Sequence, residues 1–146
     1  MAHIAIVERR MKSGEVNLNV AEAGSGPPVI MLHGWPDSWH LWRSQILALA
    51  QSGHRVIAPD LRGFGESDCP EGVDEYSLSH LIGDVAAVVD EFGVERATVI
   101  GHDWGAALAW LVATFLPDRV ERLAVVSVGH PVAFSSAGFR QKQLSW

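Results

Sequence analysis

The pentapeptide GHDWG, residues 101–105, sets one carboxylate between Gly101 and Gly105 directly after an apolar run. A strand-to-helix turn this tight forces its central residue into strained backbone angles, and neighbours without side chains let strand and helix approach closely. Asp103 would thus be lifted clear at the carboxyl end of a sheet, where open α/β sheets bind ligands. The N-terminus of the following helix favours the ionised carboxylate by roughly 0.3–1 kcal/mol when exposed and about 2 kcal/mol when partly buried. In such an elbow the Trp104 N–H points toward the site as one half of an oxyanion hole. The other half is expected from LHGWPDSW, residues 32–39, with Trp35 as the second backbone donor. Trp35, Pro36 and Trp104 are the expected pocket lining.

A carboxylate has a narrow choice of targets. Attack on an ester or amide carbonyl would give a mixed anhydride, a poor route compared with serine. Attack on a saturated carbon bearing a strained ring or a halide gives an ordinary ester that water can later cleave. The nucleophile therefore points to epoxides or alkyl halides. A lone G-x-D-x-G could equally be a helix N-cap. Here HGWP upstream, the apolar strand before the turn, and Ala106 and Ala107 after it favour the catalytic reading.

The elements that must hold this turn are legible in the hydropathy pattern. HIAIVE and VNLNVAEAG alternate with period two around MKSGE and read as an antiparallel hairpin. Residues 29–33, 55–59, 97–101 and 122–128 are short apolar runs, the mark of strands covered on both faces. Between them lie helical patterns. Leu78, Leu81, Ile82, Val85, Val89 and Phe92 share one face of a helix, with Ser77 as N-cap, Gly93 as stop, and Tyr76 and Leu81 at staple positions. A second helix should run from Trp104 to about Phe115, ended by Pro117, and another from about Ser38 to Gln51. Strands alternating with helices predict a mostly parallel sheet with an N-terminal antiparallel hairpin and helices on both faces.

The bulk properties set limits. A chain of 146 residues, 48% hydrophobic and 19% charged, fits a single globular domain. Its net charge of −6 and lack of a basic run argue against nucleic acid or an anionic membrane as partner. Cys69 is the one cysteine and cannot form an internal disulfide, and the first residues hold no apolar stretch of signal-peptide length, so a cytoplasmic location is expected. The histidines show no metal-ligand spacing. GFGES lacks the phosphate-loop lysine and the dinucleotide fingerprint, so neither metal nor cofactor is expected.

LHGWPDSWHLWR (32–43), HRVIAPDLRGFGESD (54–68), YSLSHLIGDVAAVVDEFGVERATVIGHDWGA (76–106) and HPVAF (130–134) together resemble the α/β-hydrolase fold, within it the epoxide hydrolases with an aspartate nucleophile. The resemblance implies attack of Asp103 on an epoxide carbon, an alkyl-enzyme ester, and its hydrolysis to a diol by histidine-activated water, with lid tyrosines protonating the epoxide oxygen. Haloalkane dehalogenases are the alternative. They usually carry a halide-gripping asparagine where this chain has Trp35, and fluoroacetate dehalogenases usually carry arginine in place of Trp104.

Other chemistry-bearing side chains have structural readings. His33 should pin the oxyanion loop, His102 should point away from Asp103, and Trp39 and Trp42 should sit in the core. Asp60 should hold its loop together with Arg62. The resemblance places the catalytic acid, the histidine and the lid tyrosines in later segments. Residues 1–131 are then the N-terminal part of the hydrolase core, truncated after about the sixth strand, and 132–146 the start of a helical cap. Such a chain is expected to be inactive alone. Strand 122–128 would be an open edge inviting a complementary C-terminal fragment or a homo-oligomer. A non-catalytic remnant acting through that edge is the third reading.

Overall fold

A computed structural model describes residues 4–138. Six strands form one mixed sheet: β1 (Val7–Ser13), β2 (Val16–Gly24), β3 (Pro28–Leu32), β4 (Arg55–Pro59), β5 (Ala97–His102) and β6 (Val120–Val126). Their order is β1-β2-β4-β3-β5-β6. β2 pairs antiparallel with both β1 and β4, while β4, β3, β5 and β6 run parallel.

Side-chain alternation along each strand divides the interior in two. Ile30, Leu32, Ile57, Leu18 and Val20 face a core shared with α2 (Leu78–Glu91) and α3 (Trp104–Phe115). Val29, Met31, Val56, Ala58 and Ala21 face the other way, onto Trp39, Trp42 and Ile46 at α1 (Arg43–Gln51). Fully burying each large aliphatic contributes about 1.5–3 kcal/mol before conformational entropy is counted. The inner parallel strands β3 and β4 are apolar in continuous runs because both of their faces are covered, whereas β6, also parallel but at the edge of the sheet, is largely exposed along its length.

The expected hairpin is present but displaced. β1 occupies 7–13 and includes Met11, Lys12 and Ser13, which the alternation pattern assigned to the connection. The ladder runs from Val7↔Glu22 to Ser13↔Val16, so Gly14 (φ 58°) and Glu15 alone make the turn. Glu8, Arg9, Arg10 and Lys12 are exposed, and backbone pairing with β2, not burial, defines this outer strand. The helix expected over 38–51 begins instead as a 3-10 turn, Trp39–Trp42. There the Ser38 hydroxyl accepts from the His40 amide, and the Trp39 amide is diverted to an Asp60 oxygen at 2.7 Å. α2 stops at Gly93, whose φ of 62° suits a residue without Cβ. Ser77 holds the N-cap position, but its hydroxyl meets Ser79 and His80 and makes no capping bond. Of the expected cap segment, Pro131–Ser136 forms a short α4, and 139–146 lie outside the described residues.

Candidate active site

β5 ends at His102 and α3 begins at Trp104, leaving Asp103 alone between them at φ 55°, ψ −122°. A non-glycine residue there carries strain of order 1–3 kcal/mol and persists because its surroundings over-determine it. Those surroundings are specific. The Asp103 carbonyl accepts from the amides of Ala106 (2.9 Å) and Ala107 (3.1 Å), and its own N–H donates to the Val126 carbonyl (3.2 Å). A Cβ on Gly101 would strike the Gly105 carbonyl, and one on Gly105 would strike the Leu32 and His33 carbonyls. Two glycines thus let α3 lie directly against β5 and β3, and the turn between them has no slack.

The Asp103 side chain makes no helix-capping bond; it reaches across to the loop after β3. There the Trp35 amide donates to Oδ1 at 3.0 Å. The Trp104 and Trp35 amides hold the carboxyl below its ordinary value of 3.8, with burial opposing and His102 assisting. Asp103 is therefore ionised at neutral pH with one oxygen tethered. Gly34 makes the approach feasible, since a Cβ there would lie 2.5 Å from Asp103 Cβ and 2.6 Å from Oδ1.

The loop that delivers Trp35 is fixed by His33. Its ring is fully buried; Nε2 accepts the Leu61 amide at 2.9 Å, which leaves Nδ1 to donate to the Gly34 carbonyl at 2.9 Å. Burial pushes the His33 pKa below 6.5, consistent with a neutral ring serving as a strut. The Trp35–Pro36 peptide is cis. His102 lies edge-on to Trp42, with ring centroids 6.4 Å apart, and among the described residues no histidine is hydrogen-bonded to Asp103. Trp39 and Trp42 are buried.

Asp60 does hold its loop, but not with Arg62. Its carboxylate accepts the Trp39 amide, the Glu66 amide (3.0 Å) and the Asn19 side-chain amide (3.0 Å). Arg62 turns the other way, to a two-pronged pair with Asp84 at 2.6 and 2.7 Å, and donates to the Glu75 carbonyl. The Ser13 hydroxyl donates to the same Asp84, so this ion pair is buried and hydrogen-bonded on several sides. Nothing in the spacing of Arg62 and Asp84 distinguishes them from surface charges.

Beside Asp103 opens a cleft of about 350 Å³. Trp35 and Trp104, both about two-thirds exposed, stand at its rim; Leu61, Phe64, Tyr76, Leu81 and Leu108 form its walls. Of the expected pocket residues, Trp35 and Trp104 line this space, whereas Pro36 is exposed outside it. Tyr76 and Leu81 meet here, at the positions the helical spacing marked as a staple. Two other depressions, about 430 and 500 Å³, share no residue with the surroundings of Asp103. Among the described residues no group of three His, Cys, Asp or Glu side chains could hold a metal ion, and no helix is long and apolar enough to cross a membrane.

Residues 27–144 match a family described as alpha/beta hydrolase fold. The chain is 45% identical over 129 residues to epoxide hydrolase 2 of Siraitia grosvenorii, covering 86% of this chain and 41% of that protein. It is 48% identical over 116 residues to bifunctional epoxide hydrolase 2 of Sus scrofa, covering 80% and 20%. Among solved structures, a mutant epoxide hydrolase of Vigna radiata superimposes with a TM-score of 0.85 at 42% identity, covering 86% of this chain and 40% of that one. The chain thus spans 41% or less of the length of these curated relatives.

Proposed function

Because the chain belongs to the α/β-hydrolase fold family and is epoxide hydrolase-like within it, we propose that Asp103 is the nucleophile of an epoxide hydrolase reaction. The observation that carries this reading is an accessible, ionised carboxylate on a left-handed residue, with one oxygen held by the Trp35 amide. The tethered Oδ1 leaves Oδ2 to attack the epoxide carbon. The ring C–O bond breaks as the Oδ2–C bond forms, and the departing oxygen takes a proton from solvent water, giving a hydroxyalkyl ester of Asp103 and hydroxide.

The pair of amides has its largest effect in the second step. Water adds to the Asp103 carboxyl carbon, and negative charge develops on the side chain's own carbonyl oxygen, which is Oδ1. The Trp35 amide already lies on Oδ1 at 3.0 Å and meets that charge without reorganising, the condition under which an oxyanion-hole donor is worth about 2.7–4 kcal/mol; the Trp104 amide, which also favours the anion, adds to it. Collapse returns the carboxylate and releases a diol. The substrate is a small-molecule epoxide. With no described histidine poised on Asp103 to deprotonate the water, the 146-residue chain by itself accumulates the ester.

Intact mass spectrometry after incubation with styrene oxide tests this. The expected result is a single adduct of the epoxide's mass, mapped by digestion to the peptide containing residue 103. Steady diol release by the pure chain, or an adduct located elsewhere, would refute it.

A further inference from the structure

Resting on the assignment of Asp103 as nucleophile, we infer that the cleft between α2 and α3 is the subsite for an apolar arm of the epoxide, and that Leu81 sets its depth. The cleft shares Trp35 and Trp104 with the nucleophile, the same two residues whose amides flank the carboxylate. A substrate whose strained ring lies over Asp103 therefore has this space beside it for its substituent.

The walls determine what that substituent can be. Leu61, Phe64, Leu81 and Leu108 offer only carbon. Apart from the rim indoles of Trp35 and Trp104, the polar side chains of the lining are Arg62 and Tyr76, and their hydrogen bonds run elsewhere. Arg62 commits Nε and Nη2 to Asp84 and Nη1 to the Glu75 carbonyl. Tyr76 donates its hydroxyl to the Pro70 carbonyl at 3.0 Å and meets the Cys69 sulfur at 3.3 Å, so its ring serves the cleft as an apolar wall. The Leu61 amide is taken by His33. A hydroxylated or charged arm reaching these walls would lose its hydration and find partners only at the rim. An alkyl or aryl arm would lose nothing and bury its surface. A volume of about 350 Å³ is that of a small-ligand pocket and accepts a phenyl ring with room to spare.

Leu81 is the adjustable part. It is half-buried on α2 and lines the cleft together with Tyr76, so a larger side chain there can grow into the cleft without displacing the sheet. The test compares styrene oxide with propylene oxide on the whole chain, reading Asp103 ester formation by intact mass. Leu81→Trp should lower the ratio of the two rates by roughly tenfold, the discrimination a filled hydrophobic pocket typically gives. An unchanged ratio in a folded variant overturns the inference.

A second measurement separates the subsite from the chemistry. In the unaltered protein, phenylethanediol should shift the indole N–H resonances of Trp35 and Trp104 at concentrations where propanediol does not, and Leu81→Trp should abolish that shift. Equal responses to the two diols would overturn the subsite. Absence of any ester with either epoxide, alongside selective diol binding, would instead overturn the role of Asp103 and leave the apolar subsite standing.

Discussion

Asp60 and Asp103 close β4 and β5, the strands that flank β3, and both sit at the same end of the sheet. They share a side chain and a place in the fold yet have opposite environments. Asp60 is 1% exposed, and three N–H donors from three separate segments converge on its carboxylate. Asp103 is accessible, holds a positive φ, and has a loop amide on a single oxygen. A carboxylate with both oxygens held by donors in a buried site is a strut. One with a single oxygen held, accessible and under strain, keeps the other oxygen for reaction. If Asp103 reacts as proposed, backbone geometry and unspent hydrogen-bonding capacity separate reactant from scaffold, more than residue type does.

The largest test of that contrast is Asp103→Asn. Adduct formation with styrene oxide should fall by about three orders of magnitude or more. Asparagine tolerates positive φ, so stability should move by less than about 0.5 kcal/mol in urea. Asp60→Ala should do the reverse. It strands the buried Trp39 amide and frees the part-buried Glu66 amide, and should cost about 3 kcal/mol by urea melt, with the alkylation rate per folded molecule retained.

A matched pair of glycine substitutions sharpens the comparison, because each aspartate has a glycine pressed against its carboxylate. Gly34→Ala should slow alkylation about tenfold by displacing Asp103 from its productive geometry. Gly65→Ala, which pushes on Asp60 at a φ of 53°, should cost about 1–3 kcal/mol of stability and leave the rate per folded molecule alone. Equal losses of rate in the two variants would erase the distinction between reactant and strut.

The smallest effect is one of pH. His33 has a folded pKa depressed below 6.5, so the unfolded chain binds the extra proton first. Its contribution to stability is complete above pH 6.5 and is lost as pH falls through the lower, folded value. Asp103 is depressed below 3.8, and its alkylation rate, corrected for the folded fraction, should stay level from neutrality down to that pH. Urea melts and adduct kinetics over the same pH series separate the two windows. His33→Gln should remove the slope that begins near pH 6.5.

These particulars also mark where the sequence is informative. The turn at Asp103 and the helix after it were legible because an apolar run, two glycines and Pro117 bound them on both sides. The outer strand β1 was misplaced because its side chains are mostly wet, and its register is set by backbone pairing and a two-residue turn. The 3-10 opening of the helix at Trp39 depends on a carboxylate 21 residues away in the chain, and the Arg62–Asp84 pair spans 22. Such long-range matches leave no local periodicity. Of the cleft walls only Leu81 was in view, as a helix-face leucine, with Tyr76 as its staple partner; a leucine facing a gap and a leucine facing the core give the same pattern.

The tether on Oδ1 has a stereochemical corollary. It makes the two oxygens of one side chain inequivalent and gives the reacting lone pair a fixed direction relative to a wall of tryptophan. An approach with a fixed direction is chiral, so of a racemic epoxide offered to this protein, one enantiomer should be consumed well ahead of its mirror image.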